Sequence, residues 1–210
     1  MTTTTFSKQA KSFFHPNDFS CTPSHFATTT ARYYSEISAL SIDLLQALAF
    51  SLGLPEDHFI KKMRRHTSIL TLNRFTCDGS LSNDVKIAEH TDVSMLTLVA
   101  QSCCPSIRLE IQNTDGFWIP CEYIKDTLIV NVGDCLADWT HGVLQSTKHR
   151  VRSLCTELAE SNICSRLSLA YFVSPDYNAL MGIKEDSQII YHIWRKERIA
   201  KAMKVMKSLT

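Results

Sequence analysis

The chain has 210 residues, of which 44% are hydrophobic and 20% charged, and its formal net charge is +1. That length suits one domain with a real core. The near-neutral balance excludes a general electrostatic attraction to nucleic acid or membrane surfaces. No apolar run approaches the length of a membrane span. The opening Met1-Thr-Thr-Thr-Thr-Phe lacks the apolar stretch of a secretory signal, so a soluble, cytoplasmic protein is expected.

Residues 1–28 are rich in Thr, Ser, Phe and Pro without periodicity and read as an irregular segment. A helical flank follows over 29–66. Tyr33, Ile37, Leu40, Leu44, Leu48 and Leu52 recur every three or four residues from about Thr29, and Gly53 and Pro55 end the pattern. Glu56 to His66 reads as a short basic helix. The period then drops to two, predicting strands over 68–75, 95–100, 107–111, 127–132 and 166–173. Asn113-Thr-Asp-Gly116 should turn one of these into Phe117-Trp118-Ile119. Many short strands with Gly, Asp and Asn turns predict a sandwich or jelly roll. Residues 181–210 form a C-terminal flank, helical over 188–207. There Ile189, Ile193, Trp194 and Ile199 oppose a basic face. The eight cysteines contain no CxxC pair and read as reduced thiols, not as a disulfide framework or a zinc site.

The chemistry concentrates in His90-Thr-Asp92, His149 and Arg166-Leu-Ser168. Two imidazoles and one carboxylate are the ligand set of a facial triad, which binds ferrous iron and leaves positions open. His90 and Asp92 are two residues apart and project to one side of an extended chain. Arg166 and Ser168 share a strand face in the same way, and the pair suits a carboxylate: a planar fork of donors beside a hydroxyl. Taken singly, each residue has an ordinary structural role open to it. His58 and His66 belong to the basic stretch, and His141, after Trp139-Thr140, lies near the chain position of His149.

His90-Thr-Asp92, Leu96-Thr-Leu98, Gly116-Phe-Trp-Ile119, Val130-Asn-Val-Gly-Asp134, Trp139-Thr140, Ser146-Thr-Lys-His-Arg-Val151 and Arg166-Leu-Ser168 occur in order, followed by Phe172 and Pro175. In this series, which runs from about Leu70 to Pro175, the chain resembles the iron- and 2-oxoglutarate-dependent dioxygenases of the isopenicillin N synthase-like type. The resemblance implies a mainly β fold with flanking α-helices, its core a double-stranded β-helix (jelly roll) over 67–180. It implies His90, Asp92 and His149 as ligands of Fe(2+). Arg166 and Ser168 would bind the distal carboxylate of 2-oxoglutarate, with Asn73 as a further contact. The activity implied is oxidation of a small organic molecule by O2 (hydroxylation, desaturation or ring closure), with succinate and CO2 as co-products. Specialised-metabolite biosynthesis is the setting in which such enzymes are common.

The series is broken in three places. Phe75 stands where the family usually has a tyrosine that contacts 2-oxoglutarate, keeping the aromatic wall without the hydroxyl. His141 replaces an asparagine. The N-terminal region usual in the family has no counterpart here, so a surface left uncovered would favour self-association. Two readings therefore stand side by side: a working dioxygenase, and a truncated, non-catalytic jelly roll acting at most as a binding partner.

Overall fold

The computed structural model describes residues 17–77, 85–153, 164–183 and 188–208. The first sixteen residues of the segment read as irregular, and Cys155, lie outside them. The chain divides into two compact units, one of residues 1–68, 173–181 and 186–210, the other of 69–172 and 182–185.

In the first unit, helix α1 (Ser24–Ser51) begins before the expected Thr29. It ends as its sequence predicts: Gly53 takes a left-handed φ of 67°, and the Leu54 N–H closes the helix end on the Ala49 carbonyl at 2.9 Å. The buried stripe is Ile37, Ser41, Leu45 and Ala49, whereas Leu40 is exposed. The expected face follows the leucines. The observed one passes through small residues, and the Ser41 hydroxyl satisfies itself on the Ser38 carbonyl at 2.7 Å. The basic stretch is not an α-helix but turns around one 3-10 segment, Ile60–Lys62. Too short to repay a helix nucleus by itself, it is tied down by long-range partners instead. Asp176 N–H donates to the Lys62 carbonyl at 2.7 Å, and Thr67 N–H reaches the carbonyls of Ser174 and Pro175. Strands β9 (Leu180–Met181) and β10 (Ile189–Ile190) pair antiparallel. After them, helix α3 (Tyr191–Ser208) buries Tyr191 and Trp194 while Ile189 and Ile193 stay exposed. Trp194 stacks on Tyr191, ring centroids 6.0 Å apart.

His66 is half-buried in this unit, stacked 6.2 Å from Tyr34 and bonded to the Ser68 hydroxyl at 2.9 Å. Burial holds its pKa below the ordinary histidine value, so the folded chain favours the neutral ring. The stability this gives is complete above about pH 6.5 and is lost as pH falls through the depressed value. Urea unfolding from about pH 7.5 down to about pH 5 should therefore show a shallower loss for His66→Gln than for the native chain. Parallel curves would show that His66 is not the titrating group.

The second unit is a jelly roll of two four-stranded sheets, ordered β1-β8-β3-β6 and β2-β7-β4-β5. Its strands are β1 (Ile69–Cys77), β2 (Val85–His90), β3 (Leu96–Gln101), β4 (Ile107–Gln112), β5 (Trp118–Pro120), β6 (Ile129–Val132), β7 (His149–Ser153) and β8 (Cys164–Val173). The Asn113–Gly116 turn forms as expected. Asn113 N–H bonds the Phe117 carbonyl at 2.9 Å, its side chain accepts from Asp115 and Phe117, and Gly116 supplies φ 86°. Two strands escape the period-two pattern. Val-Lys-Ile-Ala-Glu-His (β2) has register irregularities after Val85 and Ile87, and His-Arg-Val-Arg-Ser (β7) carries one aliphatic residue. The reading of all cysteines as reduced thiols is corrected at two positions. Cys77 and Cys104, buried in one cluster with Ile107, Leu109 and Val151, are each disulfide-bonded, while Cys21, Cys103, Cys121 and Cys135 are free. Tertiary proximity, which spacing does not encode, decides which thiols can bond.

Candidate metal centre

The two sheets enclose a cavity of about 80 Å³, room for several waters or a small ligand. Residues of one parity on each strand face it: Asn73 and Phe75 on β1, Thr97 and Val99 on β3, Leu109 and Ile111 on β4, Arg166, Ser168, Ala170 and Phe172 on β8. This alternation is the pleat of each strand expressed in space.

His90 ends β2 and His149 begins β7, and the register of that pair sets the two residues opposite each other. Their rings lie 4.3 Å apart. Asp92 lies two residues past the end of β2 and is 4% exposed at its side chain, against 41% for His90 and 14% for His149. The centre is thus open on the His90 side and closed behind the carboxylate. Asp92 Oδ1 lies 3.8 Å from His90 Nε2 and 3.6 Å from His149 Nε2. Metal–ligand bonds of about 2.0–2.2 Å place two ligands of one ion no more than about 4.4 Å apart, and both distances fall inside that bound. The three ligand atoms converge as a group able to hold a metal ion.

The donors are also set electronically for a cation. His90 Nδ1 bonds the Ala88 carbonyl at 2.8 Å and His149 Nδ1 bonds the Thr147 carbonyl at 3.0 Å. Each carbonyl requires a proton on Nδ1, which leaves the Nε2 lone pair facing Asp92. The carboxylate is divided in the same manner. Asp92 Oδ2 accepts from Thr97 Oγ1 at 2.7 Å and from Asn131 Nδ2 at 3.0 Å, and Oδ1 is left for the ion. Thr97 spends its proton on Asp92, so the Ser94 hydroxyl, 2.9 Å away, donates to Thr97.

The loop carrying Asp92 rests on the start of helix α2 (Asp134–Trp139). Asp134 N–H donates to the Asp92 carbonyl at 2.7 Å, Cys135 N–H to the Ser94 carbonyl at 3.1 Å and Gly133 N–H to the Met95 carbonyl at 2.9 Å. Thr91 adds a hydroxyl bond to Asp134 Oδ2 at 3.1 Å. Gly133 is required by space, not by its dihedral angles: a Cβ there would lie 2.2 Å from the Ser94 carbonyl oxygen and 2.9 Å from that of Asp92. Gly133→Ala must push this loop outward. A loss of about 1–3 kcal/mol in chemical denaturation, with weaker metal binding, is the expected outcome; an unchanged midpoint would contradict it.

At the other end of the cavity Arg166 is 2% exposed and Ser168 6%. Arg166 pairs in register with Phe75, and Ser168 with Asn73. The Phe75 ring forms a wall 5.7 Å from the guanidinium carbon, taking the aromatic part of the expected tyrosine. Burial lowers the Arg166 pKa, with a smaller opposing effect from Cys121, but a guanidinium keeps its charge throughout the protein range. Its Nη1 is buried without a hydrogen-bond partner, and among the described residues no carboxylate pairs with it. A buried cation held this way is strongly disfavoured unless an anion joins it.

All six residues singled out from the sequence, His90, Asp92, His149, Arg166, Ser168 and Asn73, therefore line one cavity. His141 does not. It occupies a left-handed turn, φ 51°, and lines an open surface depression with Asp138 and Leu144. Thr97 and Asn131, which bond Asp92, and Gln101, which bonds Arg166, are given no role by the sequence reading. The signal for the first two is present: they sit on alternating polar positions of otherwise apolar strands and pair in register.

The family signature of the 2OG-Fe(II) oxygenase superfamily matches residues 66–175. The chain is 36% identical over 155 residues to the 2-oxoglutarate-dependent dioxygenase gloF of Glarea lozoyensis, covering 71% of this chain and 47% of that protein. It is 33% identical to the proline hydroxylase buaE of Petromyces alliaceus, covering 68% of this chain and 46% of the relative. The chain thus spans about half the length of the curated relatives it matches. Among solved structures, a full-length Neurospora crassa protein in complex with alpha-KG and 5-formyluracil superposes with a TM-score of 0.75 at 25% identity, over 85% of this chain and 61% of that one. A signature that covers more than half of the sequence and encloses every residue of the cavity's two ends assigns this chain to the 2OG-Fe(II) oxygenase superfamily.

Proposed function

We propose that the chain is an Fe(II)- and 2-oxoglutarate-dependent dioxygenase acting on a small organic molecule, by hydroxylation, desaturation or ring closure, in specialised-metabolite biosynthesis. One observation carries the reading. A two-histidine, one-carboxylate triad and a buried arginine with no carboxylate partner among the described residues face each other across one narrow cavity. Iron(II) with 2-oxoglutarate supplies, when bound, the capacity to oxidise a C–H bond with O2, yielding succinate and CO2 as co-products.

The chain's own residues do the rest. His90, Asp92 and His149 would hold the metal, their other side-chain atoms anchored to Ala88, Thr147, Thr97 and Asn131. Arg166 pairs with the distal carboxylate, with the Ser168 hydroxyl beside it and Asn73 across the strand pair. Val99, Leu109, Ile111, Val151 and Phe172 line the space between, excluding water from the reacting centre. The exposed His90 side leaves the approach for substrate. Self-association is a further proposal, supported by Leu72, Val130 and Leu167, which alternate with cavity residues and remain exposed on the outer face of their sheet; sedimentation across a concentration series tests it.

The decisive assay incubates the protein with Fe(II), ascorbate, 2-oxoglutarate and a panel of small organic substrates in air. Succinate should form only with iron present, and His149→Ala should stop it. Folded, iron-loaded protein that makes no succinate with any of them would refute the enzymatic reading.

A further inference from the structure

Resting on that reading, we propose that Gln101 is a positioning residue that aims Arg166 at the co-substrate carboxylate while leaving its charge unneutralised. Gln101 ends β3. Its Oε1 accepts from Arg166 Nε at 3.2 Å and from Arg166 Nη2 at 2.7 Å. Its Nε2 donates to the carbonyls of Cys121 at 3.3 Å and Glu122 at 3.5 Å. Those two backbone acceptors fix which way the amide faces, so the oxygen is always presented to the arginine.

A guanidinium has five N–H donors in a planar fork. Gln101 engages Nε and one proton of Nη2, which leaves the Nη1–Nη2 edge free, the edge that grips a carboxylate in two parallel bonds. Nη1 is the buried nitrogen without a partner. The neutral partner matters as much as the direction. A glutamate at 101 would make the same two contacts and form an internal ion pair, satisfying Arg166 before any ligand arrives.

This separates binding from stability in one variant. The test compares 2-oxoglutarate affinity, in protein loaded with redox-inert Mn(II), with the melting temperature of the ligand-free protein, for the native chain, Gln101→Glu and Gln101→Leu. Gln101→Glu gains an ion pair with Arg166 but loses the two donations to the Cys121 and Glu122 carbonyls, so it should melt near the native temperature yet bind 2-oxoglutarate at least about tenfold more weakly. Gln101→Leu should also bind weakly, its arginine no longer oriented. Native-like affinity in Gln101→Glu overturns the proposal. So does a parallel loss of stability and affinity, which would mark a purely structural role. If Gln101→Leu fails to fold, Gln101→Glu alone decides. Native protein that binds Mn(II) but no 2-oxoglutarate fails the dioxygenase reading itself, and this inference with it.

Discussion

Replacing Asp92 by alanine should weaken Fe(II) binding by at least about a hundredfold, since losing merely an outer partner of a metal ligand already costs about 10- to 100-fold. Asp92 supplies the single negative charge in the triad and lies within 3.6–3.8 Å of both imidazole Nε2 atoms. Its removal also strands the donors of Thr97 and Asn131, which are aimed at Oδ2. Asp92→Asn separates the two effects. It keeps the shape and an acceptor for Thr97 but removes the charge, so metal affinity should fall nearly as far with a smaller loss of stability. Thr97→Val acts one step outward and should cost roughly 10- to 100-fold in metal affinity. Anaerobic Fe(II) titration against a chelator of known affinity gives all three values. An Asp92→Ala protein that bound iron as the native chain does would remove the triad from consideration.

Arg166→Met should abolish useful 2-oxoglutarate binding while leaving the fold at least as stable. The substitution removes a buried cation that is bonded to a neutral amide and to no carboxylate among the described residues, and a thioether of similar length fills the space beside Phe75. Taking away one partner of a buried charge pair costs about 2–5 kcal/mol of binding, well over a tenfold change in affinity. The free protein, by contrast, is relieved of an uncompensated charge. Arg166→Lys should be nearly as damaging to binding, because a point charge cannot keep the two-bond contact with Gln101 and present an edge to a carboxylate. Titration of 2-oxoglutarate into Mn(II)-loaded protein, paired with thermal melts, reads both quantities. Loss of stability in Arg166→Met would show that the cation serves the fold and not a ligand.

The candidate ligand residues are legible in the sequence because their chemistry is uncommon in combination. His90-x-Asp92, His149 and Arg166-x-Ser168 announce a cation site and an anion site in one chain. The strands that carry the histidines are much less legible, and for a related reason. β2 and β7 place polar residues where a period-two search looks for aliphatic ones, so ligand positions hide the strands that hold them. Thr97 and Asn131 leave a trace as polar positions in apolar strands, but the bonds that they and Gln101 make lie beyond sequence reasoning because each depends on a partner brought near by strand pairing. Thr97 meets Asn131 across β3 and β6, and Gln101 meets Arg166 from a distant segment. Helix α1 shows the opposite error. Its leucines suggest a face, but burial follows Ser41 and Ala49, whose small side chains permit close approach. The basic stretch through His66 has helix-forming residues but is governed by its bonds to Ser174, Pro175 and Asp176.

The most direct measurement of the central claim is an anaerobic binding experiment with Fe(II) and 2-oxoglutarate on the native chain. One Fe(II) should bind per chain, 2-oxoglutarate should bind tightly only after the iron is present, and changing His90, Asp92 and His149 together to alanine should eliminate both. Iron bound equally well by the triple variant, or 2-oxoglutarate binding indifferent to iron and to Arg166, would contradict the account.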